Sequence, residues 1–367
     1  MTLAARPVLP AEIQNALTQI WESLETNNVA RACLFNLIFY TQKDHRTSYI
    51  QRLAQSVIEK FPSRVIFITI DKESKEDKLS TSVSILSSSK GEFDVACDYI
   101  QIDASGSLDV RVPFVVLPHI LADLPVFLIF AEDPGHEDPL YYPLQQFANR
   151  LIFDSETTDN LPRFALNLLA HQKKSNCDIA DLNWARIESW REVLSLAFHS
   201  DQSLSKVQRS KKITLTYNAQ ETAFFCHTKI QALYLQAWLS GQLGWQLQST
   251  TRRDKEGLVF TYQGSSSPIE ICLIGAQNAQ LPPGLILSVE IEVAEEEHFF
   301  FYSHPEQLHQ ITLQHSSKES CDLPSHYIFA KAGPGHSLVK EICHSGSSEH
   351  FLNVLNLIKN MDVDKLC

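Results

Sequence analysis

The sequence lacks the short motifs that mark the commonest enzyme sites. It contains no G-x-S-x-G nucleophile elbow, no Walker A loop, no G-x-G-x-x-G turn and no H-E-x-x-H zinc motif. These absences argue against the usual nucleophilic hydrolases, nucleotide-binding enzymes and zinc hydrolases, although an active site assembled from distant residues stays open. We therefore predict no catalytic residues, no metal site and no cofactor.

Basic residues and long apolar runs are also scarce. Lysine and arginine number 31 against 43 aspartates and glutamates, which gives a formal net charge of -12. Nucleic-acid binders usually carry a basic face, because their affinity comes largely from displacing phosphate counterions. No run approaches the roughly 18–20 apolar residues of a membrane span, and residues 1–10 do not resemble a signal peptide. We therefore expect no nucleic acid or membrane as a partner, and a cytoplasmic location.

The eight cysteines show neither C-x-x-C spacing nor a histidine pair at zinc spacing. We interpret them as scattered, reduced thiols. Cys177 and Cys367 stand in polar or terminal contexts, so they are the candidates for a redox switch if the protein has one.

The first half of the chain has the pattern of an α/β domain. The apolar runs 32–40 and 64–71 are typical of strands covered on both faces, and an amphipathic helix separates them. This order predicts a βαβ unit with parallel pairing. We predict an α/β N-terminal domain over residues 1–172 with a mostly parallel sheet.

The second half changes to consecutive strands with short turns. Seven strands are predicted between residues 213 and 314, with one helix at 229–243 among them and another at 349–361. This pattern predicts an antiparallel meander. We expect an α+β C-terminal domain over residues 212–367 with a mainly antiparallel sheet, and a connecting segment over residues 173–211.

The most unusual segment lies at residues 181–198, DLNWARIESWREVLSLAF, and is predicted as one amphipathic helix. Trp184, Arg186, Trp190 and Arg191 stand within eight residues, which is typical of an interface hot spot. A helix packed between two domains would have the same composition, and the two interpretations are compatible.

Two carboxylates are candidate partners of this segment. Asp181 can cap the start of the helix. Asp154 or Asp181 can form ion pairs with Arg186 or Arg191. We include both aspartates among the residues that bind a protein partner or support the interface.

Two turns resemble ligand sites weakly. Gly333, Gly335 and Ser337 precede a short apolar helix, whose free N–H groups could hold a phosphate, although a glycine turn needs no ligand. The loop 132–138, EDPGHED, has the composition of a metal site, but an acidic solvated turn is the more ordinary interpretation.

Five stretches resemble, in matching order, segments of the OpcA family. They are residues 62–66 (PSRVI), 117–128 (LPHILADLPVFL), 149–155 (NRLIFDS), 181–194 (DLNWARIESWREVL) and 237–245 (AWLSGQLGW). The resemblance covers about two thirds of the chain, with Asn149 standing where the family has aspartate. It implies a protein that assembles or allosterically activates glucose-6-phosphate dehydrogenase, the expected partner, and that is not itself an enzyme.

Two other hypotheses stay open. One is a sugar-phosphate-binding module or enzyme that uses the α/β domain and the 333–337 turn. The other is a regulator switched by oxidation of its thiols.

Overall fold

The computed structural model describes residues 4–24, 29–88, 94–135, 141–174, 177–253, 257–264, 267–293, 297–331, 335–344 and 346–362. The chain divides into two compact units, each built from separate segments. The N-terminal unit comprises Met1–Thr157, Ala170–Leu182 and Gly333–Ser347, and the C-terminal unit comprises Thr158–Leu169, Asn183–Ala332 and Ser348–Cys367.

A mixed sheet forms the centre of the N-terminal unit. Within the described residues its strands are β1 (Arg6–Val8), β2 (Val29–Arg31), β3 (Asn36–Gln42), β4 (Arg64–Asp71), β5 (Lys78–Ser88), β6 (Asp94–Ser105), β7 (Val126–Phe130), β8 (Arg150–Phe153) and β9 (Asp178–Asp181). They lie in the order β1-β5-β6-β4-β3-β7-β8-β9, with β2 beside β6. The β1–β5 and β5–β6 pairs are antiparallel and the others are parallel. The predicted mostly parallel sheet is confirmed.

Six strands of this sheet follow the doubly wound order of dinucleotide-binding folds. Counted along the chain, β3, β4, β6, β7, β8 and β9 lie in the spatial order 3-2-1-4-5-6. β3 lies between β4 and β7, so the strands that follow β3 along the chain are added first on its β4 side and later on its β7 side. The carboxyl ends of β3 and β7 therefore flank the topological switch point, where such sheets bind ligands.

The helices of this unit are α1 (Ile13–Leu24), α2 (Thr47–Ile58), α3 (Val112–Val116), α4 (Tyr141–Gln145) and the end of α5 (Leu161–Lys174), whose first residues belong to the C-terminal unit. Short 3-10 turns lie at Pro10–Glu12, Gly106–Arg111, Leu117–His119 and Ser155–Thr157.

Apolar side chains on both faces of β3 and β4 explain why these strands are buried. Leu37, Phe39, Val65 and Phe67 pack with Ile50 and other residues of α2 in one hydrophobic cluster. A helix from far along the chain, His336–Cys343, joins this cluster and is labelled α10 below. Each compact unit contains segments from more than one of the predicted domains 1–172, 173–211 and 212–367. The contiguous domain bounds therefore stay a prediction.

The C-terminal unit contains the second sheet. Within the described residues its strands are β10 (Ser210–Asn218), β11 (Gln246–Arg253), β12 (Gly257–Gln263), β13 (Pro268–Ala276), β14 (Ile286–Val293), β15 (His298–His304), β16 (Gln307–Ser316) and β17 (Ser325–Ile328). Their order is β11-β12-β13-β10-β14-β15-β16-β17. Only the β10–β13 pair of these is parallel, so the mainly antiparallel sheet is confirmed. The prediction of a single meander was wrong, because β10 lies between β13 and β14 and divides the antiparallel strands into two shorter meanders.

The helices labelled in this unit are α6 (Leu182–Arg186), α7 (Glu188–Ala197), α8 (Asp201–Gln208), α9 (Ile230–Gln242) and α11 (Glu349–Ile358), with α10 lying between α9 and α11 in sequence. One local prediction was wrong. The predicted helix at 182–198 breaks at Ile187 (φ -93°, ψ 8°) into α6 and α7. The segment predicted as a connection, residues 173–211, also contains β9 and α8, which Ser200 caps.

Among the described residues, none of the helices combines the length and the apolar character that a bilayer crossing requires.

A buried carboxylate ties several elements of the N-terminal unit together. Asp98 of β6 accepts hydrogen bonds from Arg64 Nε (3.0 Å) and Nη2 (2.5 Å), from Trp21 Nε1 (2.7 Å) and from Arg31 Nη2 (2.8 Å). Burial disfavours the charged carboxylate, but the facing arginines and Trp21 outweigh that effect and hold the pKa of Asp98 below its usual value. Asp98 thus fixes β6 against β4, β2 and α1.

Asp98→Asn should lower the free energy of unfolding by about 3–5 kcal/mol at pH 7, because it leaves the buried Arg64 guanidinium without its counter-charge. The contribution of Asp98 is fully present above the unfolded-chain pKa of about 3.9, and it is lost as pH falls through the lower pKa of the folded protein. Urea unfolding of both proteins between pH 7 and pH 3 measures the difference. A difference that stays constant below pH 4 would contradict the assignment.

Candidate functional site

Carboxylates occupy backbone donors at the switch point of the N-terminal sheet. Gln42 ends β3, and its N–H donates to Glu132 Oε1 at 2.8 Å. Glu132 comes two residues after the end of β7. A side chain that follows β7 therefore accepts from the N–H of the last residue of β3.

The turn between β3 and α2 is capped in the same way. Asp44 Oδ1 accepts from the N–H groups of Arg46 (2.7 Å) and Thr47 (3.1 Å), while Thr47 Oγ1 accepts from the N–H of Asp44 (3.1 Å). These reciprocal bonds satisfy donors of the first helical turn and place a negative charge at the positive end of α2.

The next strand also ends on an occupied carboxylate. Asp71, the last residue of β4, accepts from Lys43 Nζ at 2.9 Å. This hydrogen bond lowers the pKa of Asp71 and raises the pKa of Lys43. The Lys43 side chain is exposed, so the pair contributes little to stability but does engage the acid.

The two aspartates predicted as interface support follow β8 and end β9. Asp154 pairs with Arg46 Nη2 at 2.6 Å, and both side chains are buried. Asp181 accepts from the N–H (2.8 Å) and the hydroxyl (3.0 Å) of Ser155. Burial opposes the charge of Arg46, but Asp154 outweighs it and raises the pKa of Arg46. Pairing of Asp154 or Asp181 with Arg186 or Arg191 stays a prediction.

Trp184 lies in the core of the C-terminal unit. Its side chain is 3% exposed and packs on Phe351 (ring centroids 5.4 Å apart) and edge-on to Tyr234 (6.4 Å). The guanidinium carbon of Arg191 stands 3.5 Å from the centre of the indole ring, a close cation–π contact. Arg191 also donates to the carbonyl of Trp184 at 3.4 Å. The pair joins α6 to α7 across the break at Ile187.

Trp190 is likewise buried, at 4% exposure. Both tryptophans therefore have the location expected of support for a surface, one of the two interpretations left open above. Their part in binding a partner stays a prediction.

Arg186 and Arg191 are both partly exposed, unlike the two buried tryptophans of the segment. Arg186 is half-buried, donates to Asn183 Oδ1 at 2.6 Å, and lies over the ring of Phe225 with its guanidinium carbon 5.2 Å from the centroid. Phe225 belongs to the loop between β10 and α9, in which Glu221, Thr222 and Cys226 are exposed. The guanidinium is thus held in a fixed orientation beside a solvent-facing loop.

The glycine turn before α10 has a packing explanation. Gly335 adopts φ +71°, and a Cβ there would stand 2.5 Å from Cβ of Ser56 on α2. The close approach and the left-handed backbone both call for glycine without any ligand. Ser337 lies in the first turn of α10, and Gly333 falls outside the described residues. Phosphate binding here stays a prediction.

Cys177, one of the two candidate redox thiols, is 4% exposed. Burial raises the pKa of Cys177 to about 12, which disfavours the thiolate and argues against a switch at this position. Cys367 lies outside the described residues.

The acidic loop after β7 shows one turn interaction. Asp133 Oδ1 accepts from the N–H of Gly135 at 2.7 Å, which is the geometry of an ordinary aspartate turn. His136 and Asp138 lie outside the described residues. In the part of the chain that the structure describes, no three His, Cys, Asp or Glu side chains are grouped as metal ligands would be.

Sequence reasoning missed the buried charges of the N-terminal unit. Arg150 opens β8 and binds Glu341 of α10 (2.5 Å) and the carbonyl of Gly346 (2.7 Å). Arg46, Arg64 and Asp98 are equally buried. A charged residue at the start of an apolar strand, as in RVIFITI and RLIF, was the available signal, because such a residue needs a partner when buried.

Asn149 accepts from the N–H of Val126 at 2.8 Å, so an amide suffices where the family has aspartate.

Comparison with known families gives two consecutive matches. Residues 43–170 match the family described as the glucose-6-phosphate dehydrogenase subunit N-terminal domain, with the label OpcA. Residues 177–321 match the one described as the C-terminal domain of the same subunit.

Curated relatives share a lower identity over part of their length. A protein described as OxPP cycle protein OpcA from Nostoc punctiforme is 26% identical over 198 residues, which span 53% of this chain and 41% of that protein. One of the same description from Synechocystis is 26% identical over 196 residues, 53% of this chain and 39% of that protein. The chain thus matches less than half the length of these relatives.

Several solved structures are similar at very low identity. They include an NAD binding oxidoreductase from Klebsiella pneumoniae (10% identity, 89% of this chain and 94% of that chain, TM-score 0.44). Another is the UDP-N-acetylglucosamine 3-dehydrogenase GnnA from Acidithiobacillus ferrooxidans (7% identity, 92% and 100%, TM-score 0.47). A third is the transcriptional regulator Gal80p from Kluyveromyces lactis (8% identity, 94% and 98%, TM-score 0.47).

Trp184→Ala should lower the free energy of unfolding by about 3–5 kcal/mol, because it leaves a cavity beside Phe351 and removes the ring under Arg191. Leu196→Ala is the matched control on α7, since Leu196 is 50% exposed and should cost less than about 1 kcal/mol. Chemical denaturation at pH 7 compares the two. Equal losses would show that Trp184 does not anchor the segment.

Thiol labelling should follow exposure. Cys226, Cys321 and Cys343 are exposed and should react first with a disulfide reagent in the native protein. Cys177 should react only after denaturation, because its buried thiol holds its proton. Mass spectrometry of the labelled peptides gives the order, and rapid native labelling of Cys177 would restore it as a switch candidate.

Proposed function

The chain belongs to the OpcA family, and from this premise we propose that it is a non-catalytic protein that binds glucose-6-phosphate dehydrogenase and promotes its assembly or activation in the oxidative pentose phosphate pathway. One observation carries the proposal. The two consecutive family matches, both described as parts of a glucose-6-phosphate dehydrogenase subunit, together cover most of the chain. The name of the relatives as OxPP cycle proteins agrees with the pathway.

The proposed mechanism is a shift of populations. A partner that binds one conformation or oligomer of the dehydrogenase more tightly than the others increases the fraction of that form. A coupling of 5–150-fold corresponds to about 1–3 kcal/mol, which a modest interface can supply. No chemistry by the chain itself is needed.

The segment α6–α7 is the proposed docking region. Arg186 is half-buried and is held by Asn183 and Phe225, so a partner carboxylate would meet a guanidinium that is already oriented. Trp184 and Trp190 support this surface from the core, and Arg191 holds α7 against Trp184. The proposal thus assigns contact to Arg186 and support to the other three residues.

The proposal that the chain is not a catalyst has a geometric basis in the N-terminal unit. Three backbone donors at the switch point, where a doubly wound sheet usually receives its ligand, are engaged: the N–H groups of Arg46 and Thr47 by Asp44, and that of Gln42 by Glu132.

Arg186→Ala should weaken binding to the dehydrogenase of the same organism by about tenfold or more, because truncating an interface arginine commonly costs about 2 kcal/mol. Arg186→Lys should also weaken it, since the ammonium of lysine lacks the planar fork of donors that a guanidinium offers to a carboxylate. Biolayer interferometry with immobilised dehydrogenase measures both affinities.

Arg163→Ala is the matched control, because Arg163 is an exposed arginine of α5 in the same unit. Its affinity should equal that of the unmodified chain. Unchanged binding by Arg186→Ala would remove Arg186 from the interface, and absence of binding by the unmodified chain at micromolar concentration would contradict the proposed partner.

A further inference from the structure

The strand order of the N-terminal unit raises the question of a dinucleotide cofactor. Sheets with the order 3-2-1-4-5-6 hold the pyrophosphate of a dinucleotide at the start of the helix after the first strand. Three features make that possible: a glycine-rich turn for close backbone approach, free N–H groups at the helix start, and an acid ending the second strand that binds the ribose hydroxyls. In this chain the corresponding elements are the β3–α2 turn, the start of α2, and Asp71 at the end of β4.

The turn does not fit the backbone approach. Residues 42–47 read Gln-Lys-Asp-His-Arg-Thr and contain no glycine. Two donors at the helix start are bound by Asp44, whose carboxylate accepts from the N–H groups of Arg46 and Thr47 as a phosphate oxygen would. Thr47 fixes this carboxylate in return by accepting from the N–H of Asp44.

The two remaining positions are also engaged. Glu132 accepts from the N–H of Gln42 on the β7 side of the switch point. Asp71, which would bind the ribose, is held by Lys43. The positive charge of Arg46 is matched by the buried Asp154, so it is not available as a counter-charge for an added phosphate.

We infer that the dinucleotide position of this fold is closed by the chain's own carboxylates, with Asp44 standing in for the cofactor phosphate at the start of α2. A pyrophosphate placed there would have to displace Asp44 and would face the negative charges of Asp44 and Glu132. The inference concerns the N-terminal unit alone and does not depend on the dehydrogenase as partner, so the two fail separately.

Thermal unfolding of the full chain tests the closure. The unmodified protein should show no rise in Tm with NAD⁺ or NADP⁺ beyond that with sodium chloride of equal ionic strength. An open site with a Kd one hundredth of the added concentration would raise Tm by about 5–10 °C. Such a rise would overturn the inference.

Asp44 variants test the stand-in role directly. Asp44→Ala should lower Tm by about 2–4 °C, as expected for loss of a helix cap, and should free the N–H groups of Arg46 and Thr47. Sodium phosphate should then raise the Tm of this variant and recover part of its loss. The same phosphate should raise the Tm of the unmodified protein less. Asp44→Asn keeps an acceptor at the same place, so it should lose less Tm and gain nothing from phosphate.

Ser200→Ala is the matched control, because Ser200 caps α8 by accepting from the N–H of Ser203 at 3.1 Å. Its Tm should fall about as much as that of Asp44→Ala. Phosphate should not restore this Tm, since α8 does not follow a strand at the switch point. Recovery confined to Asp44→Ala supports the inference. Equal recovery in both alanine variants, or in neither, would overturn it.

Discussion

Free backbone N–H groups at the carboxyl edge of a parallel sheet need acceptors, and the chain's own carboxylates supply them. Glu132 accepts from the N–H of the last residue of β3, and Asp44 and Asp181 accept from N–H groups of the turns that follow β3 and β8. The same edge that receives a ligand in related architectures is therefore part of the protein's internal hydrogen bonding. This arrangement agrees with the proposed function, because a partner-binding role of the kind proposed does not require an open ligand position at this edge.

Buried charge gives the N-terminal unit its specific arrangement. Asp98 joins Arg64 to Trp21 and Arg31, and Arg150 binds Glu341 and the backbone beyond α10. Such pairs add little net stability compared with apolar packing, but breaking one of them is costly. They consequently penalise alternative placements of the elements they join. In the C-terminal unit the Trp184–Arg191 contact has the corresponding role, since it holds α6 and α7 together across the break at Ile187.

The sequence predicted most of the elements but not their arrangement. The apolar runs 32–40 and 64–71 overlap β3 and β4, and the seven strands predicted between residues 213 and 314 correspond to β10–β16. Periodicity could not reveal the strand order, the parallel β10–β13 pair, or the packing of α10 in the N-terminal unit, because these depend on contacts between distant segments. The Trp184–Arg191 segment was found by composition, yet composition could not distinguish a buried aromatic from an exposed one. Asp44 gave no signal because it resembles an ordinary loop residue, and Glu132 was noted only as part of the acidic loop 132–138, without its backbone partner.

The proposed role of the chain is to change the state of glucose-6-phosphate dehydrogenase without catalysis of its own. Mass photometry of the dehydrogenase with and without the purified chain, alongside its steady-state kinetics in the same samples, measures this role. We expect a new complex of defined mass and a change in the dehydrogenase kinetics that saturates with the chain concentration. An unchanged mass distribution and unchanged kinetics at micromolar concentrations of both proteins would contradict it.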